Sequence, residues 1–331
     1  LDVLEEYGGK LTIMADTCEI LKFREYRDAS GRDAYGYAAI EEQLKSTIAR
    51  GHDVQLHLHP AYARAHADGG PWVLDYGEYD LARLPYERML ALVKEGRDYL
   101  EGLLRPVKPD YACIAFRAAN WSMSPSRDIV RALIANGIRI DTSVFKFGSR
   151  EGLVHFDYSG AESAAEPWPV DASDVCRRDE SGQLFEFPIY CERLPIWSFF
   201  SLNRINNAVQ NRLHPLPPEP PAATAAGAAS AEGGSSTPRK GGRLARLLLD
   251  EHARKLDFNQ CSGRQMAATL RRAERTYAER TRDVPIVLIG HSKLFHRQNE
   301  GQLRTFLEHV VSRPDAYGFA TFGDFDLEAW R

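Results

Sequence analysis

The chain is short of cysteine, of long apolar runs and of excess positive charge, and each shortage removes a class of protein. Its cysteines number five (Cys18, Cys113, Cys176, Cys191 and Cys261), and no two form a CxxC pair. An odd, scattered set argues against a disulfide framework or a structural zinc knuckle and fits the reduced thiols of a cytoplasmic protein. No stretch approaches the ~20 apolar residues that cross a bilayer. No secretory leader is visible either, although the chain reads from Leu1 as though it begins inside a domain. The formal charge of -4 leaves no basic face for nucleic acid and no polybasic patch for a membrane.

What is present fits a globular domain. Hydrophobic residues make up 44% and charged residues 27% of 331, enough to bury a real core. Strand-like and helix-like patterns alternate. Strands are expected at residues 10–14, 53–57, 111–116, 138–140, 184–189, 284–289 and 318–322. Helices are expected at 37–50, 85–104, 124–136, 265–282 and 302–312, the first with Ile40, Leu44 and Ile48 on one face. Such alternation predicts an α/β fold with parallel strands and helices packed outside. Residues 215–242, rich in Pro, Ala, Gly and Ser, cannot bury enough apolar surface to order themselves. They are read as a disordered insertion within a single domain spanning 1–331.

Chemistry-bearing residues cluster where strands should end. His57 and His59 follow Asp-Val-Gln-Leu, and residues two apart on an extended chain face the same side. Two imidazoles so placed can bind one metal, or they can be ordinary histidines. Arg117 follows the apolar run at 111–116, where it can pair a carboxylate or a substrate. Asp141 follows the strand at 138–140 and either caps its loop or orients a histidine. His291 stands in Gly290-His291-Ser292 after the strand at 284–289. That triplet also invites a rival reading, with Ser292 on the nucleophile elbow of a serine hydrolase. Against it, Leu294 replaces the elbow's second glycine, and no suitable acid and histidine follow in order.

Taken together, His-x-His, then Phe-Arg with a downstream aromatic and serine, then Asp-Thr-Ser, then Ile-Gly-His resembles the polysaccharide deacetylase family, or NodB homology domain (carbohydrate esterase family four). The resemblance covers roughly residues 1–160 and 280–325. It is nearest the branch of surface-polysaccharide and lipopolysaccharide biosynthesis, where the histidine motif ends in proline, as His59-Pro60 does here. It implies a distorted (β/α) barrel of about seven parallel strands, with the active site at the strands' carboxyl ends. It implies a divalent metal, zinc in most members, and hydrolysis of the acetamide of an N-acetylated sugar or polysaccharide. By the same resemblance His57 and His59 hold the metal, Arg117 braces the base, Asp141 tunes the acid, and His291 is that acid.

The sequence departs from the family in places. The second metal histidine usually lies at i+4, which here is Ala61, and Ala-Ala-Asn replaces a proline after Arg117. The acidic first motif is missing, and the alignment places it upstream of Leu1 together with the first strand, the metal aspartate and the general base. Asp16 and Glu19 form a D-x-x-E after a strand, and Asp16 is retained as an alternative metal ligand. The aromatics Trp72, Tyr76, Tyr79, Trp168, Trp197, Phe199 and Phe200 either stack on sugar rings or pack the core. An inactive, carbohydrate-binding relative is the remaining alternative.

Overall fold

Residues 1–66, 72–199 and 251–331 are described by the computed structural model, so the insertion expected at 215–242 lies outside the described residues. Helix α1 (Asp2–Glu5) precedes strand β1 (Thr12–Asp16), which runs without a loop into α2 (Thr17–Ser30). Next come α3 (Tyr37–Ala49), β2 (Asp53–Leu58), α4 (Tyr86–Leu104), β3 (Ala115–Ala118), α5 (Ser126–Ala135) and β4 (Ile140–Asp141). A β-rich stretch follows: β5 (Ser149–Arg150), β6 (Phe156–Asp157), β7 (Trp168–Asp171), β8 (Asp174–Arg178), β9 (Phe185–Glu186) and β10 (Cys191–Pro195). Strand β11 (Glu251–Lys255) and helices α6 (Gly263–Thr276) and α7 (Arg297–Val311) complete the described elements named here.

The seven-stranded sheet has the order β1-β2-β3-β4-β9-β7-β8. Pairings from β1 across to β9 are parallel, whereas β7 joins both β9 and β8 antiparallel. The α/β class is therefore present, but the sheet is mostly rather than wholly parallel. The cause is local. Asp171 Oδ1 accepts from both the backbone N–H and the hydroxyl of Ser173 at 2.7 Å, closing a turn too short to join anything but antiparallel strands. Beyond β9 the parallel pairing continues, among the described residues, as single bridges, Ile189 to Val287 and Asp257 to Ile289.

Several expected elements shift or vanish for physical reasons. The strand expected at 111–116 starts only at Ala115. The side-chain Oε1 of Gln55 takes the N–H groups of Ile114 and Ala115, both at 2.8 Å, where a neighbouring backbone would otherwise pair. The strand at 284–289 reduces to bridges, and Pro285 within it has no N–H to give. Residues 318–322 form no strand; Asp324 accepts from the N–H and hydroxyl of Thr321 and winds a short 3-10 turn there. Helix α2 went unread because its buried positions, Thr17, Cys18, Ile20 and Lys22, make no apolar stripe.

Both faces of the parallel strands are covered, as such sheets require. On one face Val54, Leu56, Leu58 and Phe116 join Met89, Leu92, Val93 and Leu100 of α4 in the largest core cluster. On the other, Ala115, Ile140, Phe185 and Phe187 meet Leu327 and Trp330 near the carboxyl terminus. Helices α6 and α7 pack together around Met266, Leu270, Phe306 and Leu307. Gly96 is where α4 packs against both β2 and the start of α2. A Cβ there would lie 2.4 Å from Thr17 Oγ1 and 2.7 Å from Leu56 Cδ1. Gly96→Ala should therefore lower stability by about 1–3 kcal/mol through overpacking, despite alanine's better helix propensity. The urea midpoint measures this, and an unchanged or higher midpoint would show that the contact relaxes freely.

Candidate functional site

Parallel strands deliver their carboxyl ends to one edge of the sheet, and register decides which residues meet there. Asp16 of β1 stands beside His57 of β2, and His57 stands beside Arg117 of β3. One step away Phe116 pairs with Asp141, and Asp141 with Glu186 of β9. The sequence-predicted residues Asp16, His57, His59, Arg117 and Asp141 are thus brought to one sheet edge. His291 is joined to them through the bridge at Ile289 and through its backbone N–H, which donates to Asn259 Oδ1 at 2.6 Å.

The two histidine rings are perpendicular, with centroids 4.6 Å apart. Each is held through Nδ1: His57 at 2.7 Å from the Arg117 carbonyl oxygen, His59 at 2.7 Å from Asp16 Oδ2. The other Asp16 oxygen accepts the His59 backbone N–H at 3.1 Å. Burial, and then the neighbouring His59, push His57 down to about 3, so its ring is neutral. Burial opposes charge on His59 as well, but the Asp16 carboxylate outweighs it and raises its pKa. Asp16 is lowered in turn, since His59 and His57 overcome its burial. Glu19, one helical turn on, is pushed up to about 7 by burial and then by the charge of Asp16.

Asp16 therefore does not stand as a third donor beside the histidines; both its oxygens are committed to His59. Among the described residues no group of three or more His, Cys, Asp or Glu side chains is placed to hold a metal ion. The two imidazoles nevertheless have the chemistry of a metal-binding pair. Their Nδ1 atoms have outer partners, and their Nε2 atoms make no hydrogen bond among the described residues.

Arg117 sits deep, its Nε and Nη2 donating to Thr142 O at 2.9 Å and Thr142 Oγ1 at 3.0 Å. Burial brings it down to about 10, against the pull of Asp141 and Glu186. Those carboxylates are both wholly buried. Asp141 Oδ1 accepts from Ser143 Oγ at 2.6 Å and Glu186 Oε1 from the Val144 N–H at 3.0 Å. Asp141 Oδ2 and Glu186 Oε2 find no donor, yet the two side chains bond to one another. A proton held by one of them would let it donate to the other. Burial, and then the Asp141 charge, hold Glu186 well above the ordinary carboxylate range; burial also raises Asp141.

The role expected of Asp141 is to tune His291. It acts on Glu186, Ser143 and Arg117, and the strongest effects on His291 come from elsewhere: burial first, then the cations Lys293, Lys255, Arg117 and His59. His291 is consequently lowered, not raised, and is neutral near pH 7. Ser292 is exposed at the start of a short 3-10 turn (Ser292–Leu294). Gly290 is demanded by packing rather than by an elbow, since a Cβ there would lie 2.2 Å from the Phe258 ring.

Sequence reading missed Glu186 and Lys255. A glutamate inside the apolar run Leu184–Phe187 was a usable signal, because buried glutamates are rare without a partner. Lys255 had none. Of the aromatics, Trp168 is core, its Nε1 bonded to Val175 O at 3.0 Å. Trp72 packs among Phe23, Tyr26 and Tyr35, Tyr76 lies 5.9 Å from Tyr79, and Trp197 is exposed. The Phe199 side chain and Phe200 lie outside what is described. Compared with family models and with curated proteins, the chain matches none.

The raised Glu186 pKa has a stability consequence. The ordinary glutamate value is 4.5, and the folded value of Glu186 is higher. Above 4.5 the unfolded chain releases this proton while the folded one keeps it, so stability is lost as pH rises toward the folded value. Glu186→Gln removes that loss. Between about pH 5 and about pH 7 the variant should gain on the parent by up to roughly 1.4 kcal/mol per pH unit. Urea unfolding at several pH values measures the gap, and a gap that does not grow with pH would mean that the pair holds no proton.

Proposed function

We propose that this chain is a metal-dependent hydrolase of the polysaccharide deacetylase kind, on a distorted β/α barrel, that removes the acetyl group from an N-acetylated sugar. The observation that carries the reading is the histidine pair: two strand-end imidazoles, each held at Nδ1 by an outer acceptor and each keeping Nε2 available. That is the outer-partner pattern of metal-ligating histidine. His57 and His59 would hold the metal, and Asp16 would orient His59 from behind. The described residues leave that donor set short of a complete catalytic site. A divalent metal so held would polarise an amide carbonyl and acidify a water molecule.

The remaining steps belong to the chain's own residues. His291, neutral near pH 7, is suited to take a proton and return it to the leaving amine. Glu19 is the carboxylate beside Asp16 and His59 that is not tied up by either, and it is the base candidate within the described residues. Arg117, fixed by Thr142 and biased by the Asp141–Glu186 pair, supplies positive charge where an oxyanion would form. The barrel reading draws on the parallel run from β1 to β9 and on the parallel bridges beyond it.

The test measures bound metal and acetate release from N-acetylglucosamine oligomers by the purified chain after zinc loading. His57→Ala should lose metal and acetate release together. His291→Ala should keep the metal and lose about 10²–10⁴-fold in turnover. Full turnover in His291→Ala would remove that residue from the chemistry. Metal binding without acetate release from N-acetylated saccharides would favour an inactive, carbohydrate-binding relative.

A further inference from the structure

Lys255 ends β11, the partner of β10 in a separate two-stranded sheet, two residues before Asp257, which bridges to Ile289 beside the His291 loop. Its Nζ lies 3.3 Å from the centroid of the Trp121 ring and 4.5 Å from that of Phe145, and those rings meet edge to face at 5.9 Å. The Trp121 ring is held there by an unusual backbone: Asn120 and Trp121 are consecutive left-handed residues, with φ of 55° and 60°, directly after β3. Asn120 is pinned by Tyr79 Oη and Arg150 Nη1, both donating to its Oδ1 at 3.3 Å.

Ring faces satisfy an ammonium's charge in part but not its three N–H donors. Among the described residues the Lys255 ammonium has no hydrogen bond and no salt bridge, although the side chain lies deep and stays partly accessible. Burial pushes it down to about 8, with Asp257 opposing and Arg117 and Arg150 adding to the fall. The same ammonium, with Lys293 and Arg117, sets the positive field at His291. Among the described residues no carboxylate forms a salt bridge with this ammonium, and a partly buried cation of that kind is matched by an anion from outside.

We infer that Lys255, resting on Trp121 and Phe145 beside His291 and Arg117, receives an anionic group of the substrate, a phosphate or a carboxylate carried by the N-acetylated sugar. This rests on the deacetylase reading, and it narrows the substrate class to acidic sugars. The occupant would complete the hydrogen bonding of Nζ and place the acetamido group toward the histidines.

Two measurements on the purified full chain test this. Calorimetric titration with inorganic phosphate needs no turnover. Lys255→Met should weaken phosphate binding about tenfold or more, and Lys255→Arg should restore part of it. Acetate release is then compared among methyl N-acetylglucosaminide, N-acetylglucosamine 1-phosphate and N-acetylglucosaminuronic acid. The wild type should favour an acidic sugar in kcat/KM, and Lys255→Met should cut that preference about tenfold, mainly through KM. The acidic sugar preferred tells phosphate from carboxylate. Equal phosphate binding by wild type and Lys255→Met, or a preference unchanged by the substitution, would overturn the inference. If no sugar is turned over, the deacetylase reading falls, and the phosphate titration still judges Lys255. Lys255→Gln serves as the second neutral variant if the methionine variant does not fold.

Discussion

The Asp16 carboxylate is the hinge on which the site depends. It stands at the joint where β1 becomes α2, the N-cap position, where an aspartate ordinarily accepts a backbone N–H of the first helical turn. Here it makes no such bond; both oxygens turn to His59 across the neighbouring strand end. A cap of that kind contributes ~1 kcal/mol to a helix. Diverting it fixes the His59 ring, and with it the T-shaped contact to His57. The helix still benefits, because a negative charge at its amino end interacts well with the aligned peptide dipoles.

A second theme is that buried charge is matched with care on one side of the site and left unmatched on the other. Arg117 is half-buried beside the wholly buried Asp141 and Glu186, and burial raises both carboxyl groups. Removing a single member would strand the others at a cost well above that of a surface pair. Around His291, by contrast, burial and then the charges of Lys293, Lys255, Arg117 and His59 act together to lower its pKa.

Much of this was legible in the sequence, and the rest was hidden for identifiable reasons. The long helices α3, α4 and α5 showed their apolar faces, and the ends of β1 and β2 could be placed to within a few residues. The strand-end positions of His57, Arg117 and Asp141 followed from those patterns. Glu186 was overlooked because its significance depends on which strand neighbours β4, and β9 arrives there after an excursion through two hairpins. Lys255 was hidden because its meaning lies in Trp121, more than a hundred residues away. The lowering of His291 was not legible because burial and neighbouring cations, which only the fold assembles, dominate its surroundings. Local pattern reveals elements; the charge state of a group depends on partners that only the fold assembles.

The Gln55 side chain has a further consequence. By accepting the N–H groups of Ile114 and Ala115 it acts as a short length of surrogate strand grown from β2. Its amide nitrogen also reaches Asp53 Oδ1 and the Ala112 carbonyl. The phase of β3 is therefore indexed by a residue of β2 itself, two positions before His57. Changes in the length of the connection after α4 can be absorbed upstream of that pin without sliding Arg117 past the histidine it faces. The loop is free to vary, while the spacing of Arg117 and His57 is locked by a single amide.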